Sequence, residues 1–110
     1  MRDDKFYLIY ILESIKELEG YVEGGKAEFE KSHLIQDASA RKLHVITEST
    51  QRLSDKIKNS HAEVNWRRIS GFRNVMVHDY LGLELNEVWK VIKIDIPQLK
   101  KTIENLLNEV

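Results

Sequence analysis

The chain has 110 residues, enough for one domain with a single packed core at the small end of the usual range. Charged residues make up 32% of it and the formal net charge is −1, so no overall excess of cations advertises a polyanion and any nucleic-acid contact must be local. Cysteine is absent, which excludes disulfides, thiolate catalysis and Cys-based zinc sites, and no apolar run approaches the roughly 20 residues needed to cross a bilayer.

The N-terminal Met1-Arg2-Asp3-Asp4 opens with acids rather than the basic and then apolar order of a secretion signal, which points to a cytoplasmic protein. From about Lys5 to Val22, the apolar residues Leu8, Ile11, Leu12, Ile15, Leu18 and Val22 recur at steps of three and four, the mark of one buried helical face. Phe6, Tyr7, Tyr10 and Tyr21 broaden the stripe, and core packing is their expected use. The helix should end near Gly24-Gly25, where glycine takes up positive φ.

Lys26 to Lys31 reads as a short helical piece, followed by a long helix from about His33 to Lys58. Its inner positions include Ile35, Ala38, Leu43, Ile46, Thr50, Leu53 and Ile57, thinned in the middle by Ala38, Ser39, Ser49 and Thr50 so that another helix can approach closely. Asn59-Ser60-His61 breaks the pattern. A further helix starts near Asn65, a good cap residue, and carries Trp66, Ile69, Phe72 and Met76. Gly71 lies inside it at a helix-propensity cost of roughly 1 kcal/mol relative to Ala, which suggests a close helix crossing.

Leu81-Gly82 turns the chain, Asn86 is a plausible cap, and a last helix runs to about Leu107 with the stripe Leu85, Val88, Ile92, Ile96, Leu99, Ile103, Leu106, Val110. Pro97 interrupts it. Proline removes a backbone donor and clashes with the preceding turn, so a kink or break is expected at Ile94 to Ile96. With no alternating strand-like run, the whole reads as one all-α domain over 1–110, a bundle of four to five helices.

The chemistry concentrates in Arg73-Asn74-Val75-Met76-Val77-His78-Asp79-Tyr80. His33, His44 and His61 form no helical pair with a third ligand in reach, and His44 with Glu48 supplies only two ligands, so neither a metal nor a cofactor is expected. On an ideal helix Asn74 and His78 lie one turn apart on one face, whereas Arg73 and His78 are about 140° apart round the axis. One helix therefore closes the three round a single phosphate poorly, and a second copy facing the first across a two-fold axis would solve this. In such a site His78 suits a general base or acid, Arg73 a phosphoryl oxygen gaining negative charge, and Asn74 an orienting amide. That set can cleave RNA without metal by activating the ribose 2′-hydroxyl. Arg41, Arg67 and Arg68 are candidates for nearby positive charge that holds RNA. Each motif residue also has an ordinary structural use, since a histidine in the last helical turn is favoured by the dipole alone.

Asn65 through Tyr80, followed by Leu81-Gly82-Leu83, Val88-Trp89-Lys90-Val91-Ile92 and Asp95-Ile96-Pro97-Gln98-Leu99, resembles the HepT toxins of the HEPN superfamily. The likeness extends upstream through Tyr21-Val22-Glu23-Gly24, Gln36-Asp37-Ala38 and Arg41 to Glu48, nearly the whole chain. The resemblance implies an all-α homodimer with Arg73, Asn74 and His78 as the ribonuclease site at its interface. It also implies a partner, an MntA-like nucleotidyltransferase antitoxin that moves AMP from ATP onto the motif tyrosine, here Tyr80. Thr47 and Asn65 stand where the family commonly has Gly and Pro, both structural positions. The alternative is a non-catalytic helical binding partner of such a transferase, which the near-zero net charge would suit.

Overall fold

The computed structural model describes residues 3–78 and 85–110, and for 73–78 it describes the helical backbone alone. The described residues form helices and no strands: α1 (Asp4–Tyr21), α2 (Lys26–Lys31), α3 (His33–Gln51), α4 (Asp55–Ser60), α5 (Trp66–His78), α6 (Leu85–Lys90) and α7 (Ile96–Glu109). The turn expected at Leu81-Gly82 lies outside the described residues.

The starts of α1, α3, α4 and α5 can each be traced to a short polar side chain that accepts an otherwise unpaired backbone N–H. Asp3 Oδ1 accepts from Phe6 N at 3.0 Å to begin α1, and Ser32 Oγ accepts from Ile35 N at 3.1 Å to begin α3. Gly25, at φ 91°, supplies the turn between α1 and α2. The Gln36 amide reaches back from α3 to the carbonyls of Phe29 and Glu30, at 3.0 and 3.2 Å, and fixes α2 against it.

The long helix expected to reach Lys58 stops at Gln51 instead. Its apolar stripe continues through Leu53 and Ile57, both buried, but a new cap intervenes. Ser54 Oγ accepts from Ile57 N at 3.3 Å, while Ser54 donates its N–H and its hydroxyl to the two oxygens of Asp4 at 2.8 and 2.6 Å. Asp4 thus pins the start of α4 to the start of α1. Together with the Lys42–Glu17 ion pair at 3.0 Å, this fixes α1 and α3 as antiparallel neighbours.

The core is one cluster. Leu8, Ile11, Ile15 and Leu18 of α1 meet Leu43 and Ile46 of α3, Ile69 and Phe72 of α5, and Ile96, Leu99, Ile103 and Leu106 of α7. Full burial of such a side chain contributes about 1.5–3 kcal/mol. Of the small residues anticipated on α3, Ser39, Ser49 and Thr50 are buried and Ala38 is half-buried, and Thr47 joins them inside where α3 packs between its neighbours α1 and α5. Tyr7 and Tyr21 are packed against the core, but Phe6 and Tyr10 are not buried in it. They sit on the outer flank of the α1 stripe.

The α-helix is interrupted just ahead of Pro97, as expected, by a change of pitch rather than by a gap. Val91–Asp95 form a π-helical turn that joins α6 to α7, with Ile96 N–H bonded to Val91 O, five residues back. Proline lacks the N–H that a continuous helix would bond to the preceding turn and its ring crowds that turn's carbonyl, and the wider turn directly ahead of Pro97 eases this conflict. Leu85 and Val88 are half-buried and Val110 is exposed, so the stripe is complete only from Val91 to Leu106.

Candidate active site

Helix α5 carries the motif, and its N-terminal half is firmly seated. Asn65 Oδ1 accepts from Arg68 N at 2.9 Å, as its cap role requires, and the Trp66 indole N–H is shared between the carbonyls of Lys58 and His61 at 3.2 and 3.1 Å. Ile69 and Phe72 then face the core, and the helix lies against α3 and α6. This anchoring sets the phase of everything that follows in the helix.

From that phase, positions 74 and 78 fall on the side of α5 turned away from the one that carries Ile69 and Phe72, one turn apart, and position 73 falls between the two sides. The side chains of Arg73, Asn74 and His78 lie outside what is described, and so does the whole of Tyr80. The helical register nonetheless keeps position 73 about 140° from position 78, as the spacing implied.

The three further arginines are not brought to one place. Arg67 and Arg68 line an open hollow of about 360 Å³ with Asn65, Gly71, Phe72, Glu87 and Val91. Arg68 is engaged there: its Nε and one terminal amine grip the two oxygens of Asp95 at 2.7 and 3.0 Å. The hydrogen bond to Asp95, and then the charge of that carboxylate, raise the guanidinium pKa above its ordinary value. Among the described residues Gly71 marks no close crossing, because a Cβ placed there would meet none of them within 4 Å.

Arg41 lies elsewhere, on α3. It lines a hollow of about 770 Å³ between α1 and α3 whose walls also carry Phe6, Tyr7, Tyr10, His44, Glu48 and Arg52. The sequence offered a signal for this place, four aromatics beside the α1 stripe, but the period of a helix does not separate a stripe's centre from its outer flank. No helix among the described residues is long and apolar enough to cross a membrane.

An all-α bundle that carries an arginine, an amide and a histidine at this spacing on one anchored helix defines the class of helical, HEPN-type ribonucleases. The comparison with known families is in accord: residues 11–106 match the family described as ribonuclease HepT-like, and the chain belongs to that family. Among curated proteins it is 33% identical over 106 residues to a "Probable ribonuclease HepT" of Thermococcus cleftensis, covering 96% of each chain. It is 31% identical over 104 residues to a "Putative RNase" of Methanocaldococcus jannaschii, covering 94% of this chain and 95% of that one. A second protein of that organism, "Gamma-glutamylcyclotransferase and putative RNase", is 32% identical over 110 residues, and there the chain spans 50% of the relative's length. No solved structure matches the chain.

Proposed function

We propose that the protein is the toxin of a HepT/MntA-type pair, a cytoplasmic, metal-independent endoribonuclease that acts as a homodimer. The observation that carries this reading is the intact Arg73, Asn74, His78 and Tyr80 motif in a chain of the HepT-like ribonuclease family. The register of α5 supports a shared site. With positions 74 and 78 on the side away from the core and position 73 well round the axis, a second α5 facing the first brings complementary groups to one phosphate.

In this site His78 takes the proton from a ribose 2′-hydroxyl as its oxygen attacks the neighbouring phosphorus, and the bond to the 5′-oxygen breaks. The leaving 5′-oxygen acquires a proton, and the histidine of one copy or the other can supply it. Arg73 stabilises the negative charge that builds on the phosphoryl oxygens, and Asn74 holds the imidazole or the phosphate in place. Arg41, Arg67 and Arg68 contribute positive charge for RNA, Arg68 sharing its charge with Asp95.

Regulation falls to Tyr80. Its phenolic oxygen attacks the α-phosphorus of ATP held by an MntA-like nucleotidyltransferase, loses its proton and releases pyrophosphate. The attached AMP places negative charge and bulk two residues from His78, where an RNA phosphate would otherwise sit.

The test is cleavage of RNA by the purified protein in EDTA, compared with His78→Ala. Loss of cleavage and of growth inhibition in the variant is the expected result. Undiminished cleavage by the variant would overturn the assignment, and a stable complex with the transferase without cleavage by either form would identify a non-catalytic partner instead.

A further inference from the structure

Among the described residues, the hollow between α1 and α3 is lined from these two helices and from Arg52 just after α3. On its α1 wall Phe6 and Tyr10 are stacked, ring centroids 6.3 Å apart and planes 24° from parallel, and Tyr7 meets Phe6 edge-on at 5.2 Å. Phe6 and Tyr10 are 40% and 44% exposed, unusual for neighbouring aromatic rings in a small domain with a well-filled core. Ile9, 40% exposed, lies on the same outer flank of α1.

The α3 wall is set by helical period. Arg41, His44, Glu48 and the C-cap Arg52 follow one another at steps of three and four, with Val45 beside His44, so they share one face along roughly 16 Å of chain. Arg41 and Arg52 are exposed, and neither makes an ion pair among the described residues. Glu48 is the one carboxylate among the described residues that line the hollow. An open trough with flat rings along one wall and, along the other, two guanidinium groups that are unpaired among the described residues suits a ligand that offers both a flat π-face and negative charge.

We infer that this trough binds single-stranded RNA, with bases stacked on Phe6 and Tyr10 and backbone phosphates held by Arg41 and Arg52. Every base offers a π-face and every nucleotide a phosphate, so a wall of rings opposite a wall of fixed cations grips a strand with little regard to sequence. Duplex RNA does not fit this pattern, because its bases are already stacked on one another and its readable groove is shallow. His44, between the two arginines on the helix face, adds a donor for the same backbone. The inference rests on the ribonuclease reading and deepens it, for it assigns the substrate strand a holding surface.

The test uses the full chain and a short fluorescent oligothymidylate, which lacks the 2′-hydroxyl and so is bound without being cut. Phe6→Ala with Tyr10→Ala, and separately Arg41→Gln with Arg52→Gln, are each expected to weaken binding about tenfold or more by fluorescence anisotropy. The arginine pair should also flatten the salt dependence. Ultraviolet cross-linking of the parent should place the label on the tryptic peptide Phe6–Lys16. Unchanged binding by both double variants, or cross-links confined to other peptides, would overturn the inference. So would a fall in the mass of the assembly on replacing Phe6 and Tyr10, which would mark the face as a contact between copies. Because the probe cannot be cleaved, binding that depends on these residues in a protein that cuts no RNA would remove the ribonuclease reading and leave the trough standing.

Discussion

Arg68 of α5 and Asp95 at the end of the π-helical turn are joined by two parallel hydrogen bonds, 2.7 and 3.0 Å long, across 27 positions of sequence. The pair is lopsided: the arginine side chain is 58% exposed and the aspartate only 13%. This bidentate contact ties the motif helix to the last helix just where that helix changes pitch.

The lopsidedness gives the two partners different weights. Arg68→Gln leaves a largely covered carboxylate without its cation, whereas Asp95→Asn keeps an acceptor oxygen in place for the guanidinium. Arg68→Gln is therefore expected to lower Tm more than Asp95→Asn, and the double variant to fall less than the sum of the two. Thermal unfolding of the four proteins measures this directly, and strict additivity would show the contact to be energetically idle.

Among the described residues, the hydroxyls of Ser14, Ser39 and Thr47 are buried without a hydrogen-bond partner. Thr47 is fully buried on α3, and the helices described around it offer its hydroxyl no partner. Thr47→Val keeps the shape and removes the orphaned oxygen, and a gain of about 1 kcal/mol is expected in urea unfolding. A loss of stability would mean that the hydroxyl has a partner after all.

Gly71 is half-buried in α5, and no described residue lies within 4 Å of the position of a Cβ there. Gly71→Ala should therefore stabilise the protein by roughly 0.5–1 kcal/mol through helix propensity alone. If cleavage of RNA is lost in a variant that melts higher, the space beside Gly71 belongs to the substrate or to a second chain, and the same unfolding and cleavage assays separate the two effects.

Tyr80→Phe removes the phenolic oxygen and little else. With a cognate nucleotidyltransferase and ATP, the parent should gain the mass of AMP and lose cleavage, and the phenylalanine variant should do neither. Intact-mass spectrometry decides it, and an increment that survives the substitution would move the acceptor elsewhere.

Much of the fold was legible because helix periodicity is a local property. The stripe of α1 is buried from Leu8 to Val22, α2 falls on Lys26–Lys31, and Asn65 caps α5 as its side chain suggests. What escaped was decided by partners distant in sequence. The apolar pattern runs on through Leu53 and Ile57, and only Asp4, 50 positions away, shows why Ser54 starts a new helix. Phe6 and Tyr10 belong to the same periodic run as the core residues, and their exposure depends on how α3 lies beside α1. Gly71 looked like a crossing because glycine is costly in a helix, yet that cost is set locally and the neighbours are not. For the candidate site, the motif and the angular gap between positions 73 and 78 are both written in the spacing. The partner that would close that gap is a property of assembly, which one chain's sequence encodes only indirectly.

The π-helical turn at Val91–Asp95 also has a meaning for how this chain can change. Such a turn is what an α-helix becomes when it takes in one residue too many. Shortening it by one would return the segment to ordinary pitch and bring the carbonyl of the previous turn against the Pro97 ring, while turning α6 out of step with α7. The surplus residue and the proline are thus conditions of each other: a lineage that loses one is under pressure to lose the other, and the two should be gained or discarded together.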